Sequence, residues 1–363
     1  MRADDMVFVI MAGGTGTRFW PLSRETKPKQ FLNIIGQGPL IEETFLRISS
    51  LADEKRVYVV INRAHRELTR DIFKDRGIQI LEEPYGRNTA PCIGVAAIHI
   101  KRRWGDIPVV VLPADHFIGD GELFRTTLRA AIGLSQRGGI VTIGIPPGKP
   151  ETGYGYIKRG RRYDSINGQE VFEVDRFVEK PDEKRALQYM REGNYLWNSG
   201  IFIFRVEVFL NEVRKYLPNL HQGLAEIEGV VDGKRYETTL EKVYSNLESI
   251  SIDYGIMERT TEPVYTITGN FGWSDVGSWQ ALFELKGDQK DANGNMVEGL
   301  ATIIDSRDSF IINRSEKLVA LLGANQILVV NTPDAVLVAD LNRSQEVRAI
   351  AETIKRKGLV DWV

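Results

Sequence analysis

Over roughly the first 145 residues, short apolar runs alternate with longer segments of helical periodicity. The runs are rich in β-branched residues and are VFVIMAG (7–13), VYVVIN (57–62), IQILEE (78–83), VVVLPADH (109–116) and IVTIGI (140–145). This alternation is typical of an α/β fold, in which a Rossmann-like, mostly parallel sheet is flanked by helices. Ligands bind such sheets beyond the carboxyl ends of the strands, so the residues that follow each strand are the first candidates for a site.

The pattern changes twice further along the chain. Residues 151–289 contain glycine-interrupted hairpin-like stretches, a strand at 197–204 and a helix at 206–218. From residue 290, short apolar runs are separated by Ser, Asn, Gly and Pro. We therefore predict a first domain over 1–289 and a small β-rich C-terminal domain over 290–363, a short left-handed β-helix being one form of such a domain.

A helix over 342–357 is predicted to close the C-terminal domain. Asn342 and Gln345 resemble a capping box at its start, and Gly358 ends it. Its predicted core-facing residues are Val347, Ile350, Ala351 and Ile354.

Charge and cysteine content narrow the function classes. The chain has 47 basic and 49 acidic side chains and a formal charge of −2, so no overall basic field favours nucleic acid or anionic lipid as a partner. The single cysteine, Cys92, lies in an apolar run and is interpreted as a buried hydrophobe in a reducing compartment. Acidic residues near the start and only a short apolar run predict neither a signal peptide nor a membrane span, and we expect a cytoplasmic location.

The segment 11–31 directly follows the first predicted strand and has the composition of a phosphate-binding loop. Its glycines let backbone N–H groups approach a polyphosphate, and its basic side chains add positive charge. These residues are Gly13, Gly14, Gly16, Arg18, Arg24, Lys27 and Lys29. It is not a dinucleotide fingerprint, because Trp20-Pro21 stands where the helix should begin, and it lacks the Gly-Lys-Ser/Thr ending of a Walker loop. A glycine-rich turn with solvated charges is the alternative.

The residues GGTGTRFWPLSRETKPKQF (13–31) resemble the signature of the sugar-phosphate nucleotidyltransferase family, and the WPLS and PKQF parts are similar to its mannose-1-phosphate guanylyltransferase branch. The similarity continues in order over roughly residues 6–285. The further motifs are EEPYGRNTAPCIG (82–94), LPADH (112–116), TGYGYI (152–157), FVEKP (177–181), NYLWNSGIF (194–202), SIDYGIME (251–258) and GNFGWSDVGSW (269–279).

The resemblance implies a catalytic domain over 1–289 that transfers GMP from GTP to mannose 1-phosphate with the help of Mg²⁺. The products would be GDP-mannose and pyrophosphate, and a homodimer is expected. Since the second pKa of a phosphate monoester is near ~6, the sugar phosphate is already an anionic nucleophile and needs no protein base. Another sugar 1-phosphate or triphosphate, a metal-dependent glycosyltransferase and a non-catalytic nucleotide-sugar sensor are the alternatives.

The resemblance also implies roles for individual residues. Arg18 and Lys29 would be catalytic, and Asp115 and Asp275 would bind the metal. The nucleotide would contact Ala12, Gly13, Gly14, Gly16, Thr17, Arg87, Asn88, Pro113 and Asp115. The sugar phosphate would contact Gly153, Glu179, Lys180 and Asn198. Taken alone, Asn88 is equally well interpreted as a helix cap, and Glu179 with Lys180 as an exposed ion pair.

Overall fold

The computed structural model describes residues 6–14 and 16–363; Thr15 and residues 1–5, which carry the acidic N-terminal sequence, lie outside it. The chain forms two compact units. One comprises Met1–Gly13, Ile41–Ala114 and Ile118–Trp273, and the other Gly14–Leu40, Asp115–Phe117 and Ser274–Val363. These units do not follow the predicted boundary at residue 290, because residues 14–40, 115–117 and 274–289 are grouped with the C-terminal part of the chain.

The strands have the following bounds. They are β1 (Val7–Ala12), β2 (Val57–Asn62), β3 (Gln79–Glu83), β4 (Pro108–Pro113), β5 (Phe117–Ile118), β6 (Ile140–Ile145), β7 (Tyr156–Ile166), β8 (Gln169–Val178), β9 (Tyr195–Arg205), β10 (Val264–Thr268), β11 (Trp273–Ser274), β12 (Met296–Glu298), β13 (Ala301–Ile304), β14 (Phe310–Asn313), β15 (Val319–Leu322), β16 (Ile327–Asn331) and β17 (Val336–Asp340).

The α-helices are α1 (Leu40–Ile48), α2 (Arg66–Ile72), α3 (Thr89–Trp104), α4 (Gly121–Ser135), α5 (Glu183–Glu192), α6 (Val206–Tyr216), α7 (Pro218–Glu228), α8 (Tyr236–Asn246), α9 (Trp279–Leu285) and α10 (Val347–Arg356). A π-helical turn spans Asp253–Met257. The 3-10 turns are Thr17–Phe19, Lys29–Phe31, Glu54–Arg56, Arg63–His65, Gly287–Gln289, Leu341–Glu346 and Val360–Trp362. In the part of the chain that the structure describes, no helix has the length and apolar character that a membrane crossing requires.

The first unit is built on a nine-stranded sheet in the order β3-β2-β1-β4-β9-β6-β10-β8-β7. Strands β1 to β4 pair in parallel, as do β6 and β10, while β9 runs antiparallel between β4 and β6. The predicted α/β fold with a mostly parallel sheet is therefore confirmed. Because β1, β2, β3 and β4 are parallel, their carboxyl ends meet at one edge.

Helices cover both faces of this sheet. Val7 and Val9 of β1 belong to one hydrophobic cluster with α3, α6, α7 and α8, whereas the alternate residues Phe8 and Ile10 are buried towards the opposite face. Helix α4 packs on β6 and β9. The near-continuous apolar strands in the sequence are thus explained by burial on both faces.

Two predicted boundaries within this unit were wrong. The predicted helix over 206–218 is present but ends at Tyr216, because Pro218 opens α7 and proline is tolerated only in the first turn of a helix. The predicted strand over 109–116 ends at Pro113, although the Ala114 N–H still donates to the Met11 carbonyl oxygen of β1. Asp115 consequently lies beyond the strand.

The C-terminal part of the second unit is β-rich, as predicted. Its strands stack in parallel coils, with β12 paired to β14, β14 to β16, and β13 to β15. Polar side chains inside the coils also contact one another from one coil to the next: Asn331 Nδ2 donates to Asn313 Oδ1 at 3.0 Å. Strand β17 ends the stack by pairing antiparallel with β16.

One hydrophobic cluster runs through the second unit. It joins aromatic residues of the loop region to the coils and to α9 and α10. Its members include Phe19, Trp20, Leu32, Trp279, Phe310, Ile312, Leu328, Val330, Val347 and Ala351. The segment after residue 14 and the C-terminal coils therefore share one core.

The C-terminal helix begins later than its sequence suggests. A 3-10 turn, Leu341–Glu346, precedes it, and the cap of that turn is Asp340, whose Oδ1 accepts from the Asn342 N–H. The predicted capping pair of Asn342 and Gln345 was therefore wrong. Ile350 was also misassigned to the core: it is exposed, at the margin of the face that buries Val347 and Ala351.

We expect Leu224→Ala to lower the free energy of unfolding by about 2–5 kcal/mol, because it opens a cavity in the packing of α7 against α3. Leu224 is only 3% exposed and lies against Gly94 of α3. Leu46→Ala is the matched control, since Leu46 is 46% exposed, and it should cost at most about 0.5 kcal/mol. Urea denaturation of both variants measures the difference, and equal losses would contradict this packing.

Candidate active site

The glycine loop and the PKQF segment are held against each other. Gly16 has a left-handed backbone with φ of 60°, and a Cβ there would overlap the backbone nitrogen of Lys29, so only glycine fits. Gln30 Nε2 donates to the Gly14 carbonyl oxygen at 2.9 Å. The two halves of the sequence motif therefore form one local structure.

Lys29 is the polar centre of this structure. It is only 5% exposed, and its Nζ donates to Asp115 Oδ2 at 2.8 Å and to the Asp275 carbonyl oxygen at 2.5 Å. Burying an ammonium group requires such partners. The structure thus brings together one predicted catalytic residue and both predicted metal-binding residues.

Asp115 is held in its ionised form. Burial alone would raise its pKa, but the charges of Lys29 and His116 and the hydrogen bond from Lys29 keep the pKa below the ordinary value. His116 Nε2 lies 4.0 Å from Asp115 Oδ1. An ionised carboxylate at this position is an acceptor for N–H donors and a ligand for a hard cation.

These residues line a pocket of about 380 Å³, here called the glycine-loop pocket. Six of its residues were predicted: Gly16, Thr17, Arg18, Lys29, Asp115 and Asp275. Five were not: Phe19, His116, Gly277, Arg348 and Glu352. Cationic and anionic side chains line the same space, which suits a polyphosphate together with a cation.

Among the described residues no group of three or more His, Cys, Asp or Glu side chains is arranged to hold a metal ion. Asp115 and Asp275 instead contribute two carboxylates to the glycine-loop pocket. Mg²⁺ is usually bound through one or two carboxylates with substrate phosphates and water, not by a protein cage. The donor set therefore fits a divalent ion that is shared with a phosphorylated ligand.

A second polar group, in the first unit, consists of Glu179, Lys180, Asn198 and Asp253 and is here called the carboxylate cluster. Lys180 Nζ lies 2.9 Å from Glu179 Oε1, and Asn198 Nδ2 donates to Asp253 Oδ1 at 2.9 Å. A Cβ on Gly155 would come within 2.5 Å of Glu179 Oε2, so a larger residue there would displace the Glu179 carboxylate. Three residues predicted for the sugar phosphate are thereby brought together.

Asp253 was missed in the sequence, where it is one carboxylate in the SIDYGIME motif with no charged neighbour. In the structure, burial and then the charge of Glu179 raise its pKa to about 7. The pKa of Lys180 is raised: burial lowers it, but the hydrogen bond and charge of Glu179 outweigh this.

Within the described residues, Glu179 Oε2 is buried and has no hydrogen-bond partner, so it is an acceptor available to a hydroxyl group.

Ala12 and Pro113, two of the residues predicted to contact the nucleotide, are the last residues of β1 and β4. They therefore lie at the carboxyl edge of the sheet, where a ligand site is expected. Glu83, which ends β3, was not predicted. It is buried, burial raises its pKa to about 7, and Tyr244 Oη donates to its Oε1 at 3.1 Å. Its Oε2 lies 3.3 Å from the position that a Cβ on Gly13 would occupy.

Three predicted contact residues have partners within the protein. Arg87 donates from Nε to the Tyr244 carbonyl oxygen and from Nη2 to that of Ser245. Asn88 Oδ1 accepts from the Thr89 N–H at the start of α3, and the Gly153 N–H donates to Glu151. The helix-cap alternative for Asn88 is thus present in the structure, and its contact with a base stays a prediction.

Comparison with known proteins identifies the family. The nucleotidyl transferase family matches residues 7–292, and a family described as MannoseP isomerase/GMP-like beta-helix domain matches residues 299–354. The chain belongs to the nucleotidyl transferase family. Nucleotidyl transferases of this family generally use a divalent metal.

This nucleotidyl transferase has relatives that align over nearly its whole length. It is 40% identical to the mannose-1-phosphate guanylyltransferase of Escherichia coli over 98% of the chain and 75% of the relative. It is also 40% identical to the xanthan biosynthesis protein XanB of Xanthomonas campestris pv. campestris, over 98% of the chain and 74% of that protein. A crystal structure described as a mannose-1-phosphate geranyltransferase from Thermus thermophilus has a TM-score of 0.86, 34% identity and coverage of 97% and 99%.

We expect Asp253→Asn to stabilise the folded protein at pH 8. Asn still accepts from Asn198, while the cost of ionising a buried carboxyl beside Glu179 is removed. Because the pKa is about 7 in the folded protein against an ordinary 3.8, the gain should be absent below about pH 4, grow up to about pH 7 and then stay constant. Urea unfolding across this range is the measurement, with Asp71→Asn on exposed helix surface as control. A pH-independent gain would contradict this account.

Proposed function

We propose that this nucleotidyl transferase transfers GMP from GTP to mannose 1-phosphate, forming GDP-mannose and pyrophosphate. The observation that carries the proposal is the convergence of the glycine loop, Lys29, Asp115 and Asp275 on one pocket. The names of relatives that are 40% identical over 98% of the chain support the choice of substrates.

In the glycine-loop pocket, the triphosphate would contact the loop N–H groups, Arg18 and Lys29. Within the part of the chain that the structure describes, Arg18 forms no ion pair, so its guanidinium is available for a phosphate. Lys29 would act at a fixed position, since its partners hold the ammonium in place. Both cations would stabilise the charge that develops on pyrophosphate as it leaves.

We propose Mg²⁺ as the divalent ion, held by Asp115 and Asp275 together with phosphate oxygens. Its contribution when bound is to neutralise phosphate charge. The ionised state of Asp115, maintained by Lys29 and His116, supports this assignment.

In the carboxylate cluster, the Lys180 ammonium would contact the phosphate of the sugar. Glu179 Oε2, Asn198 and Asp253 would bind the sugar hydroxyls, and Gly155 leaves room for the Glu179 carboxylate to take this position. Buried acceptors of this kind give specificity, because a sugar that lacks the matching hydroxyl leaves them unpaired.

The chemistry would be a direct displacement. An oxygen of the sugar phosphate forms a bond to the α-phosphorus of GTP while the bond to the bridging oxygen of pyrophosphate breaks. Since the nucleophile is already anionic, catalysis would depend on positioning and charge stabilisation.

The test is to incubate the chain with pairs of GTP or ATP and mannose, glucose or fucose 1-phosphate, and to measure pyrophosphate. We expect fastest release with GTP and mannose 1-phosphate. Faster pyrophosphate release with another pair would identify that pair as the substrates. No release with any pair, together with cleavage of a nucleotide sugar, would favour the glycosyltransferase alternative.

We further propose that residues 1–289 form the catalytic domain and that 290–363 mediate a homodimer. Exposed apolar side chains on the C-terminal strands, among them Leu322 and Val338, support an assembly surface. The single, buried Cys92 supports a cytoplasmic location.

Asp115→Asn and Asp275→Asn should each lose most activity but remain folded, because each removes a carboxylate charge from the proposed metal site. The loss should be partly recovered at raised Mg²⁺, and kcat/KM measured against Mg²⁺ concentration checks this. Asp120→Asn, which alters the cap of α4 instead, is a control for removal of an aspartate charge. Normal turnover at low Mg²⁺ would exclude the altered residue from the metal site.

Lys29→Ala and Lys180→Ala should affect different kinetic constants. A charge-assisted contact is worth about 1.5–3 kcal/mol, so each change should lower kcat/KM by about ten- to a hundredfold. We expect Lys180→Ala to act mainly through KM for mannose 1-phosphate and Lys29→Ala mainly through kcat.

Lys184→Ala on the exposed surface of α5 is the control for Lys180→Ala. Initial-rate plots should intersect, as a ternary complex requires. Parallel lines, or weaker GTP binding by Lys180→Ala, would contradict this division of roles.

A further inference from the structure

The C-terminal helix α10 contributes two charged side chains, Arg348 and Glu352, to the glycine-loop pocket. Neither lies in a motif that the sequence analysis singled out. They are four residues apart and therefore occupy the same face of the helix. The residues that line the glycine-loop pocket all belong to the second unit. In this unit α10 packs against the turn Thr17–Phe19.

The position of this helix is fixed by its other face. Val347 and Ala351 are buried in the hydrophobic cluster that also contains Phe19, the residue after Arg18. A helix anchored in this way presents Arg348 and Glu352 from a rigid element, as a binding site requires.

In the structure the two side chains pair with each other. Arg348 Nε donates to Glu352 Oε1 at 2.7 Å, and the side chains are 63% and 58% exposed. Exposed pairs four residues apart on a helix are weak. A phosphate chain carries more charge than one carboxylate and offers the guanidinium several oxygens, so it would displace Glu352 from Arg348.

We propose that Arg348 is a phosphate-binding residue of the nucleotidyl transfer site and that Glu352 is its exchangeable partner. On triphosphate binding, Arg348 leaves Glu352 and joins Arg18 and Lys29 on the phosphate chain. Glu352 weakens binding in two ways, since it occupies the guanidinium and places a negative charge beside an anion. The C-terminal domain thereby supplies a group that touches the substrate, an inference that rests on the proposed function.

The test is calorimetric binding of inorganic pyrophosphate and of GTP, each with Mg²⁺, to the full chain at constant ionic strength. Arg348→Gln should raise both Kd values by about tenfold, as expected for loss of one charge-assisted contact at a partly exposed site. Arg348→Lys should recover part of the loss, because it keeps the charge but not the planar fork.

Glu352→Gln should act in the opposite direction and lower both Kd values by about twofold to fivefold, the range of a weak exposed pair. Most of this gain should vanish when Arg348→Gln is also present, because the guanidinium that Glu352 occupied is gone.

Arg343 and Glu346 provide a matched control. They form a similar pair at 2.6 Å with side chains 68% and 59% exposed, but they line a different groove. Arg343→Gln should leave both Kd values within about twofold, the scale of a screened surface charge.

Binding by Arg348→Gln within twofold of wild type would overturn the inference, as would an equal loss in Arg343→Gln. A wild-type chain that bound neither pyrophosphate nor GTP would instead overturn the proposed function. Thermal unfolding of each variant verifies that the changes in Kd do not follow from loss of structure.

Discussion

The geometry of the glycine-loop pocket depends on one buried ammonium group. Lys29 Nζ donates at once to the Asp115 carboxylate and the Asp275 carbonyl oxygen, which are 86 and 246 residues away in the chain. Without the ammonium, Asp115 would lose the interaction that most opposes the effect of burial on its pKa. Gly16 lies against the backbone of the same lysine, so the loop and both aspartates take their positions from one residue.

The carboxylate cluster of the first unit differs from this pocket in what the surroundings do to the pKa of a carboxyl group. There the dominant effect is desolvation, which raises the pKa of Asp253 to about 7, and the charge of Glu179 adds to this rise. Lys180 offsets part of this charge through Glu179. Ionising Asp253 therefore costs the folded state free energy, whereas the ionised state of Asp115 is favoured in the folded state.

Elements with strong local patterns were predictable from the sequence. The strands at 57–62 and 140–145 coincide with β2 and β6, since β-branched runs buried on both faces have few alternatives. Contacts between distant segments were not: nothing local shows that Asp253 faces Glu179, or that Arg348 lines the same pocket as Arg18. The start of α10 was misjudged because Asp340, not Asn342, caps the preceding turn. Candidate site residues could be predicted as members of motifs, whereas their partners and charge states required the fold.

The shared core of the second unit has an evolutionary consequence. Phe19 and Trp20 pack with Phe310 and Leu328, so the loop that would hold phosphates rests on side chains from the coils. A recombination event that joined two family members at residue 290 would place a loop from one parent on a coil from the other. Segments 14–40 and 274–363 are therefore expected to be inherited together, although more than 230 residues separate them in the chain.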